Sequence, residues 1–188
     1  MAGTATNVTA GKPKNGGAVF MAPVGTAAPT DANAALTGYT DLGFLSEDGV
    51  TENVAISTES IKEWGGGVVL ITQTEKTVTL KFKLIEYLNA DVQKFVNGDT
   101  NVTETVAQTA QALAVKINDK EADERVLVID QIMRGNRPFR IVMPRAKITE
   151  MGEVTYKTNE AVGYDITVMA IKDDAGEYMY KYLGGATA

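Results

Sequence analysis

Two charged groupings are the parts of this 188-residue sequence that could do chemistry. The first is acidic: Glu47, Asp48, Glu52, Glu59 and Glu63 fall between Ser46 and Trp64 with Lys62 as the one base among them. Calcium needs several oxygen ligands converging on one point, and a loop that supplies them does so at fixed spacing. This spacing does not match, so the cluster reads as a solvated or interface charge patch and no metal ligand is assigned. The second grouping is basic: all five arginines, Arg125, Arg134, Arg137, Arg140 and Arg145, lie in one 21-residue segment. Arginine suits phosphate through its planar donor fork, but the same residues could form ion pairs within the chain. A third reading, which we favour, sets the acidic stretch of one copy against the arginine-rich edge of the next, a head-to-tail contact of the kind that closes a ring.

The remaining chemistry is thin. The sequence has no cysteine and no histidine, which removes thiolate nucleophiles, imidazole bases, disulfides and the two strongest zinc ligands. Gly65-Gly66-Gly67 lacks the Gly-Lys-Ser/Thr that would make it a phosphate loop, and reads as a bend or bulge. Ser57 and Ser60 sit in no nucleophile motif. No catalytic residue, cofactor or metal is therefore expected. A net charge of −6 argues against a general nucleic-acid clamp, because such affinity comes from clustered Lys and Arg. No apolar run approaches the roughly 20 residues needed to cross a bilayer, and the N-terminus has no secretory pattern. The expectation is a chain soluble when made, without membrane contact.

The elements that would carry these residues are mostly strands. Leu42 to Leu45, a tight turn at Ser46-Glu47-Asp48-Gly49, and Val50 to Ser57 read as a β-hairpin, because Gly supplies the positive φ that a tight turn requires. Ala18 to Met21 reads as a strand stopped by Pro23, and Val68 to Thr72 as another. From Lys76 to Tyr87 the alternation is clean: Val78, Leu80, Phe82 and Leu84 share one face. The period then changes. Over 89–97, Val92, Phe95 and Val96 form one helical face that must pack on a sheet, with Asn89 as cap and Gly98 as terminator. Thr100 to Ile117 is strand-like but ambiguous over Ala107 to Ala114, and Arg125 to Met133 reads as a strand buried on both faces. Strand pieces follow at Phe139 to Met143, Ala146 to Thr149 and Val154 to Lys157, and Glu160 to Lys172 alternates again. Asp173 to Gly176 gives a second hairpin signal before a stripe of Tyr178, Tyr180 and Tyr182.

The sum is one mainly β domain over 18–183, a two-sheet sandwich or barrel-like fold with one short helix. Residues 1–17 read as an extended arm, with a neighbouring subunit as the simplest thing to pin it, and 184–188 as a flexible end. So many strands leave edges, and self-association is expected.

Taken together, Leu42 to Thr51, Ile61 to Gly65, Lys76 to Tyr87 running into Asn89 to Gly98, and Arg140 to Pro144 followed by Val154 to Ala170 resemble the major tail tube proteins of long, non-contractile-tailed bacteriophages. The resemblance implies hexameric rings stacked into a hollow tube through which DNA passes without specific binding. It also implies tape measure, tail terminator and tail tip proteins as partners, and a place in the virion tail after synthesis in the host cytoplasm. Glu47, Asp48, Glu52, Glu59, Glu63, Trp64, Arg134, Arg137 and Arg140 are then the subunit-interface candidates. A decoration protein, a secretion-system tube protein and, more distantly, a polysaccharide-binding β-sandwich are the alternatives.

Overall fold

A computed structural model of the chain describes residues 3–4, 7–14, 18–107 and 110–185. The described residues are mainly β, with two sheets and one α-helix. In chain order the strands are β1 (Lys12–Pro13), β2 (Val19–Pro23), β3 (Thr40–Asp41), β4 (Leu45–Lys62), β5 (Val68–Leu84), β6 (Val102–Ala107), β7 (Ala110–Val115), β8 (Arg125–Met133), β9 (Arg137–Met151), β10 (Tyr164–Ala170) and β11 (Tyr180–Leu183). The helix α1 (Ala90–Asn97) lies between β5 and β6 in the chain. The sheets are unequal. A nine-stranded sheet runs β3-β2-β8-β9-β10-β5-β4, with β1 on β8 and β11 on β9, while β6 and β7 form a separate hairpin.

The core lies on one face of the large sheet. Val78, Leu80, Phe82 and Leu84 are all buried there, because a period of two puts alternate residues of β5 on the same side. They meet Val19 and Met21 of β2, Leu127 and Ile129 of β8, Ile141 and Met143 of β9, and Ile166 and Val168 of β10. Val92, Phe95 and Val96 of α1 are buried in the same cluster. Asn89 caps that helix by accepting from the Asp91 amide at 2.9 Å, and Gly98, at φ +91°, ends it. From Arg125 to Asp130 the strand β8 is buried residue after residue, as a central strand should be.

The two ends of the sheet come together at Gly43. On one side of it the Leu42 amide donates to the Val19 carbonyl at 2.9 Å, and on the other the Phe44 carbonyl accepts from the Ile85 amide at 3.1 Å. Three consecutive residues thus bridge β2 and the end of β5, which gives the sheet a barrel-like closure. Gly43 is at φ +76°, and a Cβ there would overlap the Glu86 carboxyl group that accepts from the Phe44 amide at 2.9 Å.

Several elements differ from the sequence expectation. Asp48-Gly49 is not a hairpin turn. Leu45 pairs with Leu84 and Val50 with Phe82, so residues 46–49 bulge out opposite the single residue Lys83, and β4 continues to Lys62 as one strand. Gly49 does have a positive φ, +68°, but a bulge uses that conformation as readily as a turn does. The true reversal is at Glu63 to Gly67, where the Glu63 amide donates to the Gly67 carbonyl at 2.8 Å. Val68 to Thr72 is accordingly the first part of β5, and only Thr40–Asp41 of the stretch before Leu45 is strand. Val154 to Lys157 is not strand. The ambiguous stretch after Thr100 resolves into β6 and β7, with residues 108 and 109 outside the described ones. Asp173 to Gly176 does form a tight turn, yet β10 and β11 do not pair with each other; both lie along β9, β10 against its distal part and β11 against Phe139 to Val142.

The N-terminal arm is described in part. Lys12 and Pro13 pair with Ile132 and Gln131, and Thr9 Oγ1 accepts from the Arg134 amide at 3.0 Å. That part of the arm is held by its own subunit. Residues 1, 2, 5, 6 and 15–17 of the arm, and 186–188 of the C-terminal end, lie outside the described residues.

Candidate functional site

The acidic residues do not gather into a site. Glu47 and Asp48 sit on the bulge, where Asp48 accepts from Ser46 Oγ at 3.0 Å. Glu52 pairs with Lys181 of β11 at 2.6 Å. Glu59 lies far out on β4, with Glu63 and Trp64 beyond it at the reversal. At about 3.3 Å per residue the run from Val50 to Lys62 separates the bulge from the reversal by roughly 40 Å. Among the described residues no group of three or more His, Cys, Asp or Glu side chains is placed to hold a metal ion. No helix among them is long and apolar enough to cross a membrane.

Arg125, Arg140 and Arg145 make ion pairs inside the subunit. Arg125 reaches Asp99 at 2.7 Å and Asp123 at 3.4 Å, and Arg145 pairs with Glu124 at 2.7 Å. Arg140 departs furthest from its expected place at a subunit contact. Its side chain is 2% exposed and forks onto Asp130, Nε to Oδ1 at 2.5 Å and Nη2 to Oδ2 at 2.7 Å. Its Nη1 also donates to the Asp31 and Ala34 carbonyls at 3.1 and 2.7 Å, which holds the small-residue loop between β2 and β3. The reason is register: Asp130 and Arg140 are direct partners across β8 and β9, so the pair closes within the sheet. Arg134 and Arg137 remain on the surface, flanking the β8–β9 turn, where Gly135 and Asn136 take positive φ. With Met133, Phe139, Leu183 and Thr9 they line a groove of about 380 Å³.

Tyrosines organise two further places. Tyr87 and Tyr156 share a hydrogen bond of 2.7 Å, and Tyr87 stacks on Tyr164, whose hydroxyl donates to buried Gln93. The bond to Tyr156, then the one to Tyr164, pushes the Tyr87 hydroxyl well above the usual range. On β11 the Tyr180 and Tyr182 rings lie parallel with centroids 6.2 Å apart. The Tyr180 hydroxyl donates to Asp173 at 2.7 Å, and this bond raises its pKa to about 12 while lowering that of Asp173.

The largest feature without an internal role is the β4–β5 arm. The apolar stripe that is core at Leu84, Phe82, Leu80 and Val78 does not stop where the core stops. It continues outward on the same face through Val54, paired with Val78, and Ile56, which are 43% and 56% exposed. Farther out, both faces are apolar. Ile61 and Leu70 pair on one side, and Ile71, opposite Ser60, is on the other, all at least half exposed. Trp64 at the tip is fully exposed. Reading Val50–Ser57 as one limb of a short hairpin hid this arm. The signal available in the sequence was the pair of strand-like runs, Thr58 to Lys62 and Val68 to Thr72, on either side of Gly65 to Gly67.

A mainly β chain that binds several of its charged residues into internal pairs and exposes a run of apolar side chains on a long hairpin has the surface of a subunit made to associate. The family model described as phage tail tube protein matches residues 5–187, and this chain belongs to that family. It is a structural protein of the phage tail, and so a component of the virion. No curated protein matches the chain. Among solved structures, a chain of an extracellular contractile injection system, from the PVC sheath-tube complex in its extended state, aligns with TM-score 0.45 and 7% identity over 90% of this chain and 89% of its own. A chain of the anti-feeding prophage cap, the tube-terminating cap, aligns with TM-score 0.41 and 8% identity over 70% of this chain and 76% of its own.

Proposed function

We propose that copies of this chain close into hexameric rings, that the rings stack into a hollow tube, and that the β4–β5 arm carries contacts between copies. The observation that carries this reading is the arm's distal half, which carries apolar side chains on both faces, at least half exposed among the described residues. A strand pair with one apolar face needs one partner; with two apolar faces it needs a partner on each side. Insertion between neighbouring copies supplies both. β4 is also the last strand of the large sheet among the described residues, so that its outer side offers backbone donors and acceptors for pairing.

DNA passes through the tube without specific binding in this reading, which the net charge of −6 favours because an acidic wall does not hold phosphate. The role is structural and requires no catalysis. Tape measure, tail terminator and tail tip proteins are the further partners, and synthesis takes place in the host cytoplasm before assembly. Negative-stain microscopy of the purified chain at rising concentration tests the proposal. Rings or hollow filaments of uniform diameter are expected, and a chain that stays monomeric at every concentration overturns it.

A further inference from the structure

The arm ends in a group that calls for a receptor. Trp64 is fully exposed, and the turn presenting it is fixed by two backbone bonds, Glu63 amide to Gly67 carbonyl at 2.8 Å and Gly66 amide to Glu63 carbonyl at 2.9 Å. An indole carried on a fixed turn loses little backbone freedom on docking and contributes a large apolar face. Glu63 and Glu59 beside it make the tip acidic.

Five grooves on the described surface are wide enough to take a side chain. The groove at the base of α1 carries Glu86, Asp91 and Glu104, and the one beside the bulge sets Glu47 and Asp48 against Lys12; both are net acidic and disfavour the tip. The grooves beside Tyr178 and under β7 mix lysines with Glu75 and Glu177, or with Glu150. In the groove at the β8–β9 turn every charged lining residue is basic, namely Arg134 and Arg137. Its apolar lining comes from Met133, Phe139 and Leu183, the last 62% exposed. Arginine also stacks on an indole face more effectively than lysine does.

We propose that this groove receives Trp64 of another copy of the chain, with Glu63 of that copy set against Arg134 and Arg137. The proposal rests on the reading that the arm joins copies, and it names the place where the arm ends. It keeps the acidic-to-basic contact expected from the sequence, but narrows the acidic partner to Glu63 beside Trp64 at the arm tip and leaves Arg140 out of it.

Trp64 is the sole tryptophan and the chain has no cysteine, so both a fluorescent and a cross-linking reporter are clean. In assembled wild-type protein the emission should shift to the blue and acrylamide quenching should fall several-fold relative to dilute protein. Arg137→Glu should return quenching toward the dilute value. Oxidation of an assembled Glu63→Cys, Arg137→Cys double variant should give a disulfide-linked ladder that neither single variant gives. If wild-type chains assemble and removal of the arm abolishes assembly, while Trp64 stays fully quenchable and the double variant gives no ladder, the groove is wrong and the arm reading stands. Chains that remain monomeric at every concentration overturn both.

Discussion

Arg140 and Asp130 face each other across β8 and β9 as a closed, two-bond ion pair inside the subunit, at 2.5 and 2.7 Å. Both side chains are nearly inaccessible, 2% and 6% exposed, so neither is screened by water. Removing one partner leaves the other charge buried without its counter-ion. Asp130→Asn should therefore destabilise the subunit by about 3–5 kcal/mol in urea unfolding. Arg140→Met should cost a similar amount and also release the loop tied through the Asp31 and Ala34 carbonyls, seen as faster limited proteolysis within residues 24–37. An Arg140→Met chain with unchanged proteolysis would show that the loop is held by something else.

The arm and the core should respond oppositely to the same kind of change. Leu80 is fully buried, so Leu80→Ala should lower the stability of the dilute chain by about 2–5 kcal/mol. Ile71 lies on the same strand but is 64% exposed, and Ile71→Ser should change that stability by no more than about 0.5 kcal/mol. Assembly measured by sedimentation should reverse the order, with Ile71→Ser impaired even though its subunit is as stable as wild type. Normal assembly of that variant would remove the arm's apolar faces from the contact.

The pH dependence should have two limbs with a plateau between them. With no histidine or cysteine in the sequence, stability should be flat from about pH 5 to 8. Asp173 is held below its ordinary value, chiefly by the Tyr180 hydroxyl, so its contribution is present above that ordinary value and lost as pH falls through the lowered one. Tyr180 is raised to about 12, chiefly by its bond to Asp173, so its contribution is complete below 10 and lost as pH rises through about 12. In a tyrosinate absorbance titration, Asp173→Asn should shift one tyrosine down toward 10, and Tyr180→Phe should delete that same transition. An Asp173→Asn titration that superimposes on wild type would mean the pair does not form.

Much of the fold was legible because strand and helix periods are local. The alternation of Val78 to Leu84, the helical face of Val92, Phe95 and Val96, and the continuous burial of Arg125 to Asp130 are each written within a few neighbouring residues. The family resemblance, too, was carried by the order of such segments. Long-range pairing was not written there. Gly49 needs a positive φ in a turn and in a bulge alike, so the local signal was real and its meaning was open until Val50 was seen to pair with Phe82.

The same division runs through the surface. By itself the sequence determined that the chain is mainly β, acidic, without the usual catalytic side chains, and carries its arginines in one segment. Only the tertiary structure decided where those arginines act, because a charge is satisfied by whichever opposite charge the strand register brings beside it. That register turned Arg140 inward onto Asp130, set Arg125 against Asp99 and Arg145 against Glu124, and placed Arg134 and Arg137 on the surface beside an apolar groove. It also decided that an apolar stripe begun in the core should run on past it, since a strand longer than its sheet carries its alternation out into solvent.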